Sequence, residues 1–176
     1  MCVSIVSLYR AFGGGWDNTT AANRAENEGI KPVYLESVQK WTKISCRVLE
    51  LIPAETGIDL PPKVFIDMEG EFIDLVEGIS LTARFPNKDR YMNPMGFMQG
   101  AAIDNTVSPL SFMLGSQNIT QTISTTFKRP IKKTDRFIIV KASMIEKIET
   151  HIVMQAEVKN DSGKLMANGI AKCVLT

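Results

Sequence analysis

A chain of 176 residues with 44% hydrophobic and 22% charged side chains has the length and usage of one globular domain with a sizeable core. Its formal net charge of +1 gives no bulk electrostatic case for nucleic acid, and no apolar run approaches the ~20 residues that span a bilayer. The cysteines Cys2, Cys46 and Cys173 are too widely spaced for a metal motif or a disulfide framework, which points to reduced thiols in the cytoplasm. His151, the single histidine, excludes a multi-histidine metal site; no metal and no cofactor is expected.

Residues 1–31 are rich in glycine and polar side chains and keep no hydrophobic period, so they are expected to form a loose arm. The opening MCVSIVSLYRAFGGGW lacks the basic region and the apolar length of a signal peptide. Its fragment LYRAFGGGW resembles the C-terminal tail of outer-membrane efflux channel proteins, which implies a displaced start or a fusion scar rather than a channel. From Pro32 the pattern changes, and one domain is expected over residues 32–176. Leu35, Val38, Trp41, Ile44, Val48, Leu51 and Ile52 recur at three- and four-residue steps, the mark of an amphipathic helix, which Pro53 stops. Gly57 and Pro61–Pro62 then break the chain into a loop.

After Lys63 the period becomes two. VFIDMEGEFIDLVEG reads as strand material interrupted at Gly70. ISLTARF alternates, with Ile79, Leu81, Ala83 and Phe85 on one face and Ser80, Thr82 and Arg84 on the other. Pro86–Asn87 ends that run and RYMNPMGFMQGAAIDNTVSPLSFML follows, the stretch around which the chain is organised. It carries Asn93, Gly96, Gln99 and Gly100, and then a lone acid, Asp104. A helix is expected from about Met98, kinked or ended at Pro109. Its start would offer unpaired N–H groups and the positive end of a dipole, with Asp104 one turn along. Met92, Met95, Met98 and Met113 would line an adaptable tunnel or fill the core.

The last third reads as four strands, QTISTTFKRPI, RFIIVKASMIEKIE, HIVMQAEVKN and KLMANGIAKCVLT. Lys132–Lys133–Thr134–Asp135 makes one turn and Asp161–Ser162–Gly163 a hairpin. The long strands read as a meander of antiparallel neighbours, and five to six such strands around one central helix make an α+β domain. Its sheet edges favour a homodimer by strand pairing, either as such or doubled to a tetramer.

Over about residues 35–176 the sequence resembles the hotdog-fold acyl-CoA thioesterases of the PaaI-like, phenylacetate-pathway group. Asn93 and Gly96 match the family's residues before its central helix, and Gln99–Gly100–Ala101 stands where the family has His–Gly–Gly. Phe127–Lys128–Arg129–Pro130 matches its strand motif, and Asp161 to Lys164 with Ala167 its final hairpin. Two positions depart from the pattern. Gln99 cannot titrate as the family's histidine does. The family acid lies about nine residues after that histidine and Asp104 five after Gln99, a loss that rotates a helix by only about 40°. Rigid counting would put the acid at Ser108.

The resemblance implies hydrolysis of an acyl-CoA thioester. The carbonyl would lie against the N–H of Gly100 or Ala101, with Asp104 of the partner subunit as general base or nucleophile and Asn93 and Gln99 as positioning groups. Gly96 would let the backbone approach the substrate closely. Arg129, Lys132 and Lys133, beside Lys128, would meet the CoA phosphates or form a solvated turn. Asp104 at a helix start can equally serve the dipole alone. Two other functions stay open on the same fold: an acyl-CoA-binding or dimerisation protein without turnover, and a hydratase, whose active segment pairs Asp with a histidine absent here.

Overall fold

The computed structural model describes Ile44, Arg47 and residues 62–107 and 118–175. The expected arm over residues 1–31, Ser108, Pro109 and Met113 lie outside the described residues. Of the helix expected between Leu35 and Ile52, Ile44 and Arg47 are described and both are helical. Ile44 packs against the core, and Arg47 donates to both carboxylate oxygens of Glu77 at 2.9 and 3.1 Å.

The first complete element is a short helix, α1 (Lys63–Asp67). Strand-like periodicity predicted extended chain here, and the structure corrects that expectation. The carbonyl of Pro62 accepts the N–H of Phe65 at 2.8 Å and opens a helical turn. That turn buries Phe65 to 2% exposure, where its ring stacks on Phe72 at 4.5 Å and meets Phe85 edge-on at 5.3 Å. Aromatic packing of this kind outweighs the weak local preference of VFID. The chain reverses at Gly70, where a Cβ would stand 2.6 Å from the Phe65 ring and 2.7 Å from Phe85.

Strands β1 (Glu71–Val76) and β2 (Ser80–Pro86) form a hairpin, with Gly78 at φ +68° in its turn. Leu81, Ala83 and Phe85 point into the core as expected. Ile79 does not: it is 59% exposed, because its N–H closes the turn on Val76 and the strand starts one residue later. A 3-10 turn at Asp89–Tyr91 leads to helix α2 (Gly100–Val107). The helix begins two residues beyond the expected Met98. Met98 and Phe97 are held extended, paired with Met92 and Lys132, and the Met98 N–H donates to Ile131.

Four long strands complete the sheet: β3 (Asn118–Phe127), β4 (Phe137–Lys147), β5 (His151–Asn160) and β6 (Leu165–Leu175). All neighbours are antiparallel, in the order β1-β2-β4-β5-β6-β3. One face carries Ile138, Val140, Ala142, Met154, Ala156, Val158 and Ala167, buried together with Ile103 of α2. The helix packs on β3, β4 and α1. Among the described residues β3 pairs only with β6, so its outer edge is open. The two expected turns are present. The Asp135 N–H donates to Lys132, and Gly163, at φ +78°, closes the β5–β6 hairpin on Asn160. Beside that hairpin, a hydrogen bond from Arg136 holds the Asp161 carboxyl below the usual carboxylate range.

Candidate active site

An α-helix advances 100° per residue, so Gly100 and Asp104 share one face of α2, and that face meets β3. The register of β3 on β6 sets Ile123, Thr125 and Phe127 opposite Ala171, Gly169 and Ala167, on the side of the sheet that faces the helix. The half-buried Asp104 accepts a hydrogen bond at Oδ1 from the Thr125 hydroxyl, at 2.6 Å. One turn earlier, Gly100 lies against Phe127, close enough that a Cβ would stand 2.8 Å from the ring tip. Gly169 floors the pair, since a Cβ there would meet the Ser124 carbonyl at 3.3 Å and the Thr125 hydroxyl at 3.4 Å.

The helix start is built from Gln99 and Asn93. The Gln99 carbonyl accepts the N–H groups of Ala102 and Ile103, and its own N–H donates to Tyr91. Among the described residues the N–H groups of Gly100 and Ala101 have no acceptor, as expected for the first turn of a helix. The Gln99 side chain reaches back to the Met92 carbonyl at 3.4 Å. Asn93 accepts the N–H groups of Met95 and Phe97 at Oδ1, at 2.9 and 3.1 Å, and so shapes the turn that contains Gly96 at φ +78°. Asn93 and Gln99 therefore hold backbone, while Asp104 and Gly100 face the sheet.

The basic residues lie beyond the Phe127 end of β3, the same end as the helix start. Arg129 donates to the Leu165 carbonyl at 2.8 Å, and Lys133 pairs with Asp89 at 2.8 Å on an exposed surface. Lys132 bridges to Phe97 through its backbone. The methionines scatter: Met98 is in the core, Met92 packs against it and Met95 is exposed. His151 sits at the start of β5, against the Thr150 hydroxyl. A separate cleft of ≈ 370 Å³ lies on the opposite side of α2, lined by Ala102 and Asn105 with Val64, Met68, Arg90 and Tyr91.

Thr125, Phe127 and Gly169 were not among the residues expected at the site. Alternation along β3 shows that Thr125 and Phe127 share a face, but local pattern carries no signal that this face meets α2.

Among the described residues, six antiparallel strands laid against the short helix α2, whose first turn faces the edge strand, define the hotdog fold. Solved structures of that fold superpose on the chain. One is a phenylacetic acid degradation-related protein of Ralstonia eutropha JMP134, at a TM-score of 0.60 and 22% identity, over 68% of this chain and 95% of its own. The PaaI protein of the E. coli phenylacetic acid degradation operon superposes at 0.59 with 15% identity, over 64% and 87%. A hypothetical thioesterase protein of Streptococcus pneumoniae TIGR4, solved with coenzyme A, does so at 0.57 with 14% identity, over 64% and 96%. At these identities the likeness establishes the shared fold. No family model and no curated protein matches the chain.

Proposed function

We propose that this protein hydrolyses acyl-CoA thioesters to the free acid and CoA. The observation that carries the reading is the Asp104 carboxylate, 2.6 Å from the Thr125 hydroxyl and one helical turn from the first-turn N–H groups of Gly100 and Ala101, which have no acceptor among the described residues. The neighbours of this fold include proteins solved with CoA and with acetyl-CoA. In this reading the thioester oxygen rests on the N–H of Gly100 or Ala101, where charge develops as the carbonyl carbon is attacked. The Thr125 hydroxyl occupies one oxygen of Asp104, which leaves the other to take a proton from water as a general base. The new C–O bond forms, the C–S bond breaks and the sulfur leaves as CoA thiolate, which is then protonated. Direct attack by Asp104 would follow the same geometry through an anhydride that water resolves. Asn93, Gly96 and Gln99 fix the backbone that presents the N–H groups. Arg129, Lys132 and Lys133 meet the CoA phosphates.

A second copy of the chain is the expected partner, paired along the open edge of β3, with a dimer of dimers as the larger form. Ile119, 63% exposed, and Phe127, 52% exposed, stand on that strand. Such an edge is a template for strand addition, and closure by two-fold symmetry is the simplest outcome. Among the described residues no helix is long and apolar enough to cross a membrane. The proposed compartment is the cytoplasm, on the reduced-thiol argument.

One observation favours a non-catalytic acyl-CoA-binding protein instead: Gln99, at the helix start, cannot exchange a proton near neutral pH. Thiol release from a panel of acyl-CoAs at pH 7 separates the two. The hydrolase reading predicts release above the buffer rate for at least one acyl group. Bound acyl-CoA without release would replace it with the binding reading.

A further inference from the structure

Three side chains outside the candidate site tie together the three loops that surround it. Asn87 follows β2, Asp135 lies between β3 and β4, and Asn160 ends β5. The Asn160 amide nitrogen donates to Asp135 Oδ1 at 2.9 Å, and Asn160 Oδ1 accepts the Ser162 hydroxyl at 2.8 Å and the Lys164 N–H at 2.9 Å. Asp135 Oδ2 accepts the N–H of Lys132 at 2.8 Å. Asn87 spends its amide nitrogen on two carbonyls, those of Lys132 at 2.9 Å and Asp135 at 2.7 Å, and its backbone N–H on Arg136. Among the described residues no donor reaches its buried Oδ1. An acceptor left unpaired in this way is a cost that calls for an explanation.

The backbone of Lys132 is thereby held at both its N–H and its carbonyl, and this clamped segment is what the helix start rests on. Phe97 pairs with Lys132 as an isolated bridge, and the Met98 N–H donates to the Ile131 carbonyl at 2.9 Å. Gln99 and Gly100 follow directly. At its other end the same loop is fastened to the sheet, where the N–H groups of Lys128 and Arg129 both reach the Met166 carbonyl. A path of hydrogen bonds thus runs from Asn160 through Asp135 and the Ile131–Lys132 backbone to Phe97 and Met98, just before α2.

We infer that Asn87, Asp135 and Asn160 are positioning residues that set the N–H groups of Gly100 and Ala101 against Asp104 and Thr125. The kinetic part of this inference rests on the thioesterase reading. None of the three touches the reacting atoms; each acts through backbone, as groups behind a site commonly do.

The test uses exchanged side chains in the full-length protein. In Asp135→Asn one acceptor is lost and a donor is set against donors. Turnover is expected to fall about ten- to a hundredfold with KM little changed, the scale of a small misplacement of reacting groups. Amide hydrogen exchange should quicken at Met98 and Gln99 and stay unchanged in the β4–β5 ladder. The double variant Asp135→Asn with Asn160→Asp restores every donor and acceptor in reversed roles. The amide now at position 135 would accept from the Lys132 N–H and donate to the carboxylate now at position 160. This variant should recover both turnover and slow exchange. If Asp135→Asn keeps wild-type turnover and exchange at Met98 and Gln99, the inference is wrong. It is also wrong if the double variant regains its melting temperature but not those two properties. Should the wild-type protein release no thiol from any acyl-CoA, the hydrolase reading fails, and exchange at Met98 and Gln99 alone decides the positioning claim. If Asp135→Asn does not fold, Asn87→Ala, which frees the Lys132 carbonyl but leaves the Asp135–Asn160 contact, is judged by the same readouts.

Discussion

Asp104 and Thr125 lie 21 residues apart in the chain and 2.6 Å apart at the site. Asp104 was legible in the sequence as a lone acid one turn into a helix behind a glycine-rich start. Thr125 was not, because its partner is set by how β3 packs on α2, a long-range contact that leaves no trace in local spacing. The roles of Asn93 and Gln99 were legible only in part, since the sequence shows polar side chains near a helix start but not that they spend themselves on backbone. The pair gives a residue-scale prediction. Thr125→Ala removes the hydroxyl that orients Asp104 and is expected to lower kcat about tenfold or more, within the range of a general acid–base arrangement. Thr125→Ser keeps the hydroxyl and should stay within a few-fold of wild type. Steady-state thiol release measures both, and an alanine variant at full activity would show that the hydroxyl does not orient the acid. Gly169→Ala presses on the Ser124 carbonyl at 3.3 Å, next to Thr125 in β3, and should act in the same direction.

The elements were read most accurately where period and turn chemistry agreed. ISLTARF at β2 alternates in sequence and β5 buries every second residue, and Asp161–Ser162–Gly163 carries the glycine that its positive φ requires. The sequence failed at α1 because VFID has strand-like composition, while its conformation is fixed by Phe65 packing on Phe72 and Phe85. It placed α2 two residues early for a related reason: Phe97 and Met98 are held extended by Lys132 and Ile131, far along the chain. The aromatic cluster is thus expected to hold the α1–β1 corner in place. Phe65→Ala should cost about 3–5 kcal/mol, the usual range for deleting a buried aromatic ring, read as a drop in the urea midpoint. A loss below about 1 kcal/mol would show that the corner is held by its backbone turn instead.

For the whole molecule, the class was legible from element order alone: two strands, a helix, then a run of strands. The strand order was not, since a meander would place β3 beside β4 and the structure places it beside β6 at the edge. That exchange opens the edge of β3 and aligns its inner face with the first turn of α2, so fold and site share one cause. The open edge predicts a dimer in solution. Light scattering at micromolar concentration should give twice the chain mass, or four times, and a purely monomeric mass would remove strand pairing from the account. The central claim, a carboxylate at work beside helix N–H groups, is tested most directly at Asp104. Asp104→Asn keeps the shape of the side chain and an acceptor for Thr125, and removes the charge. Acyl-CoA binding should persist while kcat on the best substrate of the panel falls by ~10² or more. Undiminished turnover in that variant would contradict the account and leave Asp104 as a partner of the helix dipole alone.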